Sequence, residues 1–289
     1  SLCSRSRSGR PRSTSQRDDR KILQEAKRTP HVTAVQLRSR LSQHLQTVSK
    51  WLIRRRLADG GLRSSKPAKK PLLSAKNISD RVAFCKRYEH WTAEQWDCVL
   101  FSDETTISQF PSTSGNVWRP QNKRFDPKYL VPTVRMPEKL MIWGAISSRG
   151  HAGLWFMPKG TTINGTVYLE ILKEKLPPFM ELHRTTFFQH DGAPCHNVKA
   201  VREWLAQSGF QILGPWPGNS PDLNPIENAW TQVKKQVAAM HPNSLQDMIK
   251  AVETVWTQKV SPDYCKKLCR SMPDRIRSVL KNKGKHTKY

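Results

Sequence analysis

Hydrophobic and polar positions along the 289 residues fall into two regimes. Between residues 18 and 57, Ile22, Leu23, Ala26, Val35, Leu37, Leu41, Val48, Leu52 and Leu57 recur at helical spacing in three short segments. "DDRKILQEAKRT" opens with acids at a helix N-terminus, and "TAVQLRSRLS" follows Pro30 with Thr33 as its cap. "LQTVSKWLIRRRL" ends before Gly60-Gly61. Three such helices predict a small all-α helix-turn-helix domain over 18–61. From residue 78 the pattern changes. A helix at "SDRVAFCKRYEHW" precedes an apolar strand "CVLFSD" (98–103) and strands near "VWRP", "KLMIWGAIS" and "GLWFMP". A helix "GTVYLEILKEKL", a strand "TTFFQHD", a helix "NVKAVREWLAQS", a strand "FQILG" and a helix from about Ile226 follow. Strands first, then alternating strand and helix, predict an α/β domain with a mixed sheet flanked by helices.

Charge adds a partner to this picture. The chain carries 49 Lys+Arg against 23 Asp+Glu, a net charge of +26, and solubility alone does not require such an excess. Residues 1–76 hold 20 basic and 4 acidic side chains, whereas the remainder holds 29 and 19. The N-terminal quarter therefore reads as the docking module for a polyanion, with nucleic acid ahead of an acidic membrane. No run of about 18 apolar residues suits a bilayer, and the six cysteines include no CxxC pair, which fits a reduced protein and neither a zinc ribbon nor a disulfide framework. The chain begins at Ser1 rather than Met, as a fragment would.

Residues 1–17, rich in Ser and Arg, read as a basic arm that orders on meeting its partner. Within it Gly9-Arg10-Pro11-Arg12 has the form of a minor-groove hook, with Arg10 and Arg12 as its DNA contacts. In the third helix Lys50, Arg54, Arg55 and Arg56 are the candidate contacts to DNA. Residues 62–77, with Lys66, Lys69, Lys70, Lys76 and two prolines, read as a basic linker and a nuclear localisation signal; for the hook, the alternative is a plain solvated linker.

Three carboxylates stand out in the second regime. Asp103 ends the apolar strand "VLFSD", and Asp191 ends "TTFFQHD" before a Gly-Ala-Pro turn. Glu227 follows the loop "PGNSPDLNPI" on the first turn of a helix, where the helix dipole favours a negative charge. Each aspartate alone could be an ordinary Asx turn. Converging from two strand ends and a helix, the three would make an all-oxygen site suited to Mg²⁺ or Mn²⁺, and two such ions can drive phosphoryl transfer. His190 and His196 flank Asp191 but lack the companions of a zinc site, and Cys195 reads as a packed small residue. Asp222 reads as a cap or Asx turn that fixes the helix of Glu227. Trp96, Trp143, Trp155 and Trp204 lie in apolar segments and read as core, while Trp118 and Trp216 sit in loops where they could touch DNA or a second subunit.

"VLFSDET", "VWRP", "MIWGAIS", "QHDGAPCH" and "WPGNSPDLNPIENAWTQVKK", in this order, resemble the catalytic domain of mariner-superfamily DNA transposases, in the branch that includes Sleeping Beauty. The resemblance runs from about residue 18 to the C-terminus. It implies an RNase H-like fold over 78–289, a catalytic and metal-binding triad of Asp103, Asp191 and Glu227 with two ions, and a clamp-like insertion near 109–135. It also implies binding to terminal inverted repeats as a homodimer, cleavage at the transposon ends and joining of the 3′ ends to TA targets, in the nucleus. The 35 residues between Asp191 and Glu227 are one more than is usual in that branch. Full-length relatives carry two helix-turn-helix units joined by a GRPR-type linker, so the expectation is that the first unit is missing here. A domesticated DNA-binding protein that keeps the fold without transposition, and a nuclease acting on RNA-DNA hybrids, are the competing functions.

Overall fold

The computed structural model describes residues 12–67, 70–110, 120–123, 125–127, 130 and 137–289. The expected strand at "VWRP" and most of the expected insertion at 109–135, with Trp118, fall outside the described residues, as does Arg10. The chain forms two compact units, Ser1–Lys69 and Lys70–Tyr289.

In the first unit, local capping sets the helix starts. Helix α1 (Gln16–Arg28) begins with a reciprocal capping box between Ser15 and Asp18, and α2 (Ala34–Ser39) with one between Thr33 and Gln36. The segment expected as a third helix splits into α3 (Gln43–Gln46) and α4 (Lys50–Asp59). Thr47 turns its hydroxyl onto the His44 carbonyl, and Ser49 caps the Leu52 amide at 3.1 Å, so the chain restarts a helix rather than continuing one. Ile22, Leu37, Leu41, Leu45 and Ile53 meet in one small core, and α4 packs on both α1 and α2.

The second unit is built on a mixed sheet. Its strands are β1 (Val99–Ser108), β2 (Lys139–Ser147), β3 (Gly150–His151), β4 (Trp155–Phe156), β5 (Phe187–Gln189) and β6 (Gln211–Ile212). The order is β3-β2-β1-β5-β6, with β4 also paired to β2. β1 and β2 are antiparallel, whereas β5 runs parallel to both β1 and β6. Each face has its own core because successive β1 side chains alternate between faces. Leu100 and Trp143 join Phe188 under α7 (Gly165–Leu182) and α8 (Lys199–Gln207). Val99, Phe101, Ile107, Ile142 and Ile146 face the other way. They lie under α5 (Ala75–Arg87), α6 (Ala93–Asp97), α9 (Ile226–Met240), α10 (Leu245–Lys259), α11 (Pro262–Cys269) and α12 (Met272–Lys281). Helix α5 starts inside the segment read as linker, at Ala75 after a Ser74–Asn77 capping box. Helix α7 continues past its expected end at Leu176 through Pro177 and Pro178, because Phe179 and the buried Met180 still pack on the α7 core.

Trp96 and Trp143 are fully buried core, as expected, while Trp155 and Trp204 are half-buried and pack at the edge of the α7 core. One glycine controls how closely α9 approaches the sheet. Gly144 sits opposite Asp103 in the β1–β2 register, and a Cβ there would lie 2.8 Å from the ring of Trp230 on α9 and 3.0 Å from Leu154. Trp230 is itself stacked on Trp256 at 4.9 Å between centroids and has no room to retreat. Gly144→Ala should therefore lower stability by about 1–3 kcal/mol, the usual range for overpacking, as read by urea denaturation.

Candidate active site

Asp103 was expected at a strand end, but β1 continues five residues beyond it to Ser108. The alternating "TTIS" segment pairs with β2 as far as Lys139, so the antiparallel partner holds β1 extended past the acid. The strand end belongs to the other neighbour: β5 stops at Gln189, opposite Phe101. Asp103 thus lies beside the notch where β5 ends. By strand alternation it shares the face of Phe101 and Ile107, the side that carries α9.

Asp191, expected to end its strand, lies two residues past β5, and its Oδ1 accepts the Ala193 amide at 2.9 Å in an Asx turn. Glu227 sits in the first turn of α9, whose N-cap is Pro225. Asn224 fixes that start: its Oδ1 accepts the Ile226 amide at 3.3 Å and its amide donates to the Ser102 carbonyl at 3.1 Å, tying the α9 start to β1. Asp103, Asp191, Asn224 and Glu227 line one groove of about 400 Å³, walled by Trp216, Pro217 and Gly218. The structure brings the three carboxylates together.

The electrostatics show strain among like charges. Burial, with repulsion from Glu227, Glu104 and Asp191, holds Asp103 well above the usual carboxylate range. Glu227 is also raised, by burial and by Asp191, with Lys234 opposing. Asp191 goes the other way: burial alone would raise it, but hydrogen bonds from His196 and the Ala193 amide outweigh that and lower it. A divalent cation would relieve this repulsion, and the donors are hard oxygens, so the residues present fit Mg²⁺ or Mn²⁺. Among the described residues no three acidic, His or Cys side chains close into a ligand set, and the three carboxylates instead surround an open groove.

Two residues beside the site do more than the sequence announces: His196, read there only as lacking the companions of a zinc site, and Glu104, which no sequence pattern marks. His196 is only 2% exposed; its Nδ1 lies 2.8 Å from Asp191 and its Nε2 3.3 Å from Glu104. Burial opposes its charge, but those two carboxylates win and push it up to about 10. The Tyr168 ring stacks on it at 3.9 Å, and the Tyr168 hydroxyl lies 3.1 Å from Nδ1 of His190. His190 is driven down to about 4 by burial and by the charge of His196, so the two histidines differ in charge at neutral pH. The signal was present as "DGAPCH": a turn that brings residue 196 back under residue 191. Glu104 was overlooked because it points to the face opposite Asp103. Cys195 is half-buried rather than packed away. Trp216, expected in a loop open to DNA, is half-buried against Phe84 at 5.0 Å while still lining the groove.

Asp222 does not cap α9. It is completely buried and receives both guanidinium nitrogens of Arg81 at 2.8 Å, together with the amide and hydroxyl of Thr287. The side chains expected to contact DNA divide similarly. Lys50, Arg54 and Arg55 are exposed on α4, but Arg56 is turned inward to Asp59 at 2.8 Å, Asp19 at 3.4 Å and the Thr14 hydroxyl at 3.0 Å. The acids of α1 and α4 surround it, which leaves it no free cationic head. Arg12 is paired to Asp19 at 2.5 Å.

A family described as transposase, with a helix-turn-helix domain, matches residues 19–90, and the DDE superfamily endonuclease family matches residues 98–250. The transposable element Tc1 transposase of Caenorhabditis elegans is 33% identical over 277 residues, spanning 94% of this chain and 100% of its own. The chain belongs to the Tc1/mariner family of DNA transposases. The Tcb2 transposase of Caenorhabditis briggsae is 32% identical over the same shares of both chains. Among solved structures, the Mos1 transposase paired-end complex with left transposon end superposes with a TM-score of 0.80 at 19% identity, covering 99% of this chain and 83% of that one. The mariner Mos1 paired end complex with Mg gives 0.78 at 18%, covering 99% and 84%. This family member therefore has a helix-turn-helix DNA-binding unit followed by an RNase H-like endonuclease unit.

Proposed function

We propose that the chain is a catalytically competent cut-and-paste transposase whose Asp103, Asp191 and Glu227 hold two Mg²⁺ or Mn²⁺ ions, and that two copies pair the ends of their element. The observation that carries it is the shared groove of the three carboxylates, in a chain matched to a DDE endonuclease family. The Mos1 complexes with paired ends, and with Mg or Mn, support the dimer and the metal. Asp103, Asp191 and Glu227 are the residues that would hold the ions in this groove. The chemistry that such ions supply is polarisation of the scissile phosphate and activation of water or a 3′-hydroxyl.

The chain's own residues do the positioning. His196 and the Ala193 amide hold Asp191 ionised and aimed at the groove. Asn224 fixes the turn that presents Glu227. Trp216 and Pro217 form the groove wall against which a DNA strand would lie, and the proximity of Lys234 and Lys70 to Glu227 offers cations to its phosphates. Inverted repeats and TA dinucleotides are the proposed substrate and target, and the nucleus the proposed site of action, reached through the basic segment 62–77.

Incubation with a duplex carrying the end of the element and Mg²⁺ tests this reading. Nicking at the end followed by strand transfer is expected; sequence-preferring binding without metal-dependent nicking would show a domesticated binding protein instead. His196→Ala should slow nicking by about 10–100-fold, the usual cost of losing a support behind a metal ligand, with duplex binding unchanged. An unchanged initial rate would remove His196 from the positioning machinery.

A further inference from the structure

The first turn of α4 carries an unusual surface residue. Trp51 is 66% exposed, although the same helix offers a buried face through Ile53 and Leu57. An indole combines a large apolar ring with a polar N–H edge, which suits it to contact surfaces. Its surroundings are cationic: the Arg54 guanidinium lies over the indole at 5.0 Å from the ring centroid, and the Lys50 ammonium at 5.9 Å. Among the described residues Lys50, Arg54 and Arg55 have no acidic partner, in contrast with Arg56. Lys50, Trp51, Arg54 and Arg55 therefore share one open face, spaced as neighbours on a helix.

α4 is the last helix of its unit and packs across α1 and α2, the position of the helix that enters the major groove in helix-turn-helix proteins, where its N-terminal residues reach base edges. We propose that Trp51 is a sequence-reading residue for duplex DNA. Its indole edge packs on a thymine methyl, and its face holds Arg54 flat for a bidentate contact to the O6 and N7 of a neighbouring guanine. Lys50 and Arg55 serve the flanking phosphates, which carry affinity but no sequence. This rests on the reading of the first unit as a DNA binder, and deepens it to one residue.

The test uses the full chain and two probes: the duplex that the wild-type chain enriches most from a randomised pool, and a scrambled duplex of the same length and composition. Trp51→Ala should weaken binding to the enriched duplex by roughly 10-fold or more, weaken binding to the scrambled one less than about 2-fold, and leave the salt dependence on both unchanged. Arg54→Ala should lose discrimination at the same base step, whereas Lys50→Ala should weaken both duplexes equally and reduce the salt slope. Equal losses on the two duplexes for Trp51→Ala, or no loss, would overturn the proposal while leaving the DNA-binding reading intact. A wild-type chain that binds duplex but enriches no sequence would overturn the proposal alone, and one that retains no duplex at all would overturn both. Trp51→Phe, which keeps a ring under Arg54, should retain part of the discrimination, and an unchanged urea midpoint for each variant shows that the losses are not those of unfolding.

Discussion

Asp103→Asn should abolish end cleavage, by roughly 10³-fold or more as for loss of a central catalytic group, while leaving the metal-free chain as stable as the wild type or more so. The first half follows from its place in the groove with Asp191 and Glu227. The second half follows from electrostatics. Desolvation, with repulsion from Glu227, Glu104 and Asp191, holds the carboxyl of the half-buried Asp103 well above the usual range, and a group disfavoured in its charged form detracts from stability at neutral pH. A neutral amide of the same shape removes that repulsion. Active sites store this kind of conflict, and relieving it characteristically trades activity for stability. Thermal denaturation in a chelator, beside a cleavage assay, reads both halves. A marked fall in the melting midpoint would mean that Asp103 is chiefly a structural acid.

Asp222→Ala should have the opposite signature: a loss of about 3–5 kcal/mol of stability, because it strands the buried Arg81 guanidinium without its counter-charge. The pair connects α5 to the loop before α9, and Thr287 binds the C-terminal segment to the same carboxylate. Arg275 clamps the loop from the other side through the Asp222 carbonyl at 2.7 Å. Loosening this hub would move the turn that presents Glu227, so activity should fall with stability. Replacing both partners, Arg81→Met with Asp222→Leu, should recover most of the stability, since two apolar groups leave no charge uncompensated. A small effect of Asp222→Ala in urea denaturation would contradict the assignment.

The pair also has a pH signature. Burial alone would raise Asp222, but hydrogen bonds from Arg81 and Thr287 outweigh it and hold the carboxyl below its usual value. A carboxyl depressed in the folded state contributes its full stability above the unfolded value of about 3.9. That contribution is lost as pH falls through the lower folded value. The wild type should therefore lose stability below about pH 4 more steeply than Asp222→Ala does.

Local rules were readable along the chain, and contacts distant in sequence were not. Thr33 as a cap, the turn after Asp191 and the start of α9 at Ile226 each follow from residues within three or four positions. Asp103 was misplaced because the apolar run stops there, whereas the strand continues on antiparallel pairing with β2, more than thirty residues later in the chain. Asp222 looked like a cap because nothing near it in sequence announces Arg81, which is 141 positions away. Glu104 was hidden by its neighbour: adjacent positions on a strand face opposite sides, and its partner His196 comes from beyond β5. The three carboxylates were legible as candidates because each stands beside a local landmark, an apolar run, a turn or a helix start, and the sheet brings all three to one groove.

The central claim is that these three carboxylates work together through bound divalent ions on DNA. The most direct test is nicking of a duplex bearing the element's end, titrated with Mn²⁺, for the wild type and Glu227→Gln. The account predicts nicking by the wild type only in the presence of metal, and none by Glu227→Gln at any concentration, with both proteins equally folded and binding the duplex alike. Nicking by the wild type in excess chelator, or by Glu227→Gln at the wild-type rate, would contradict it.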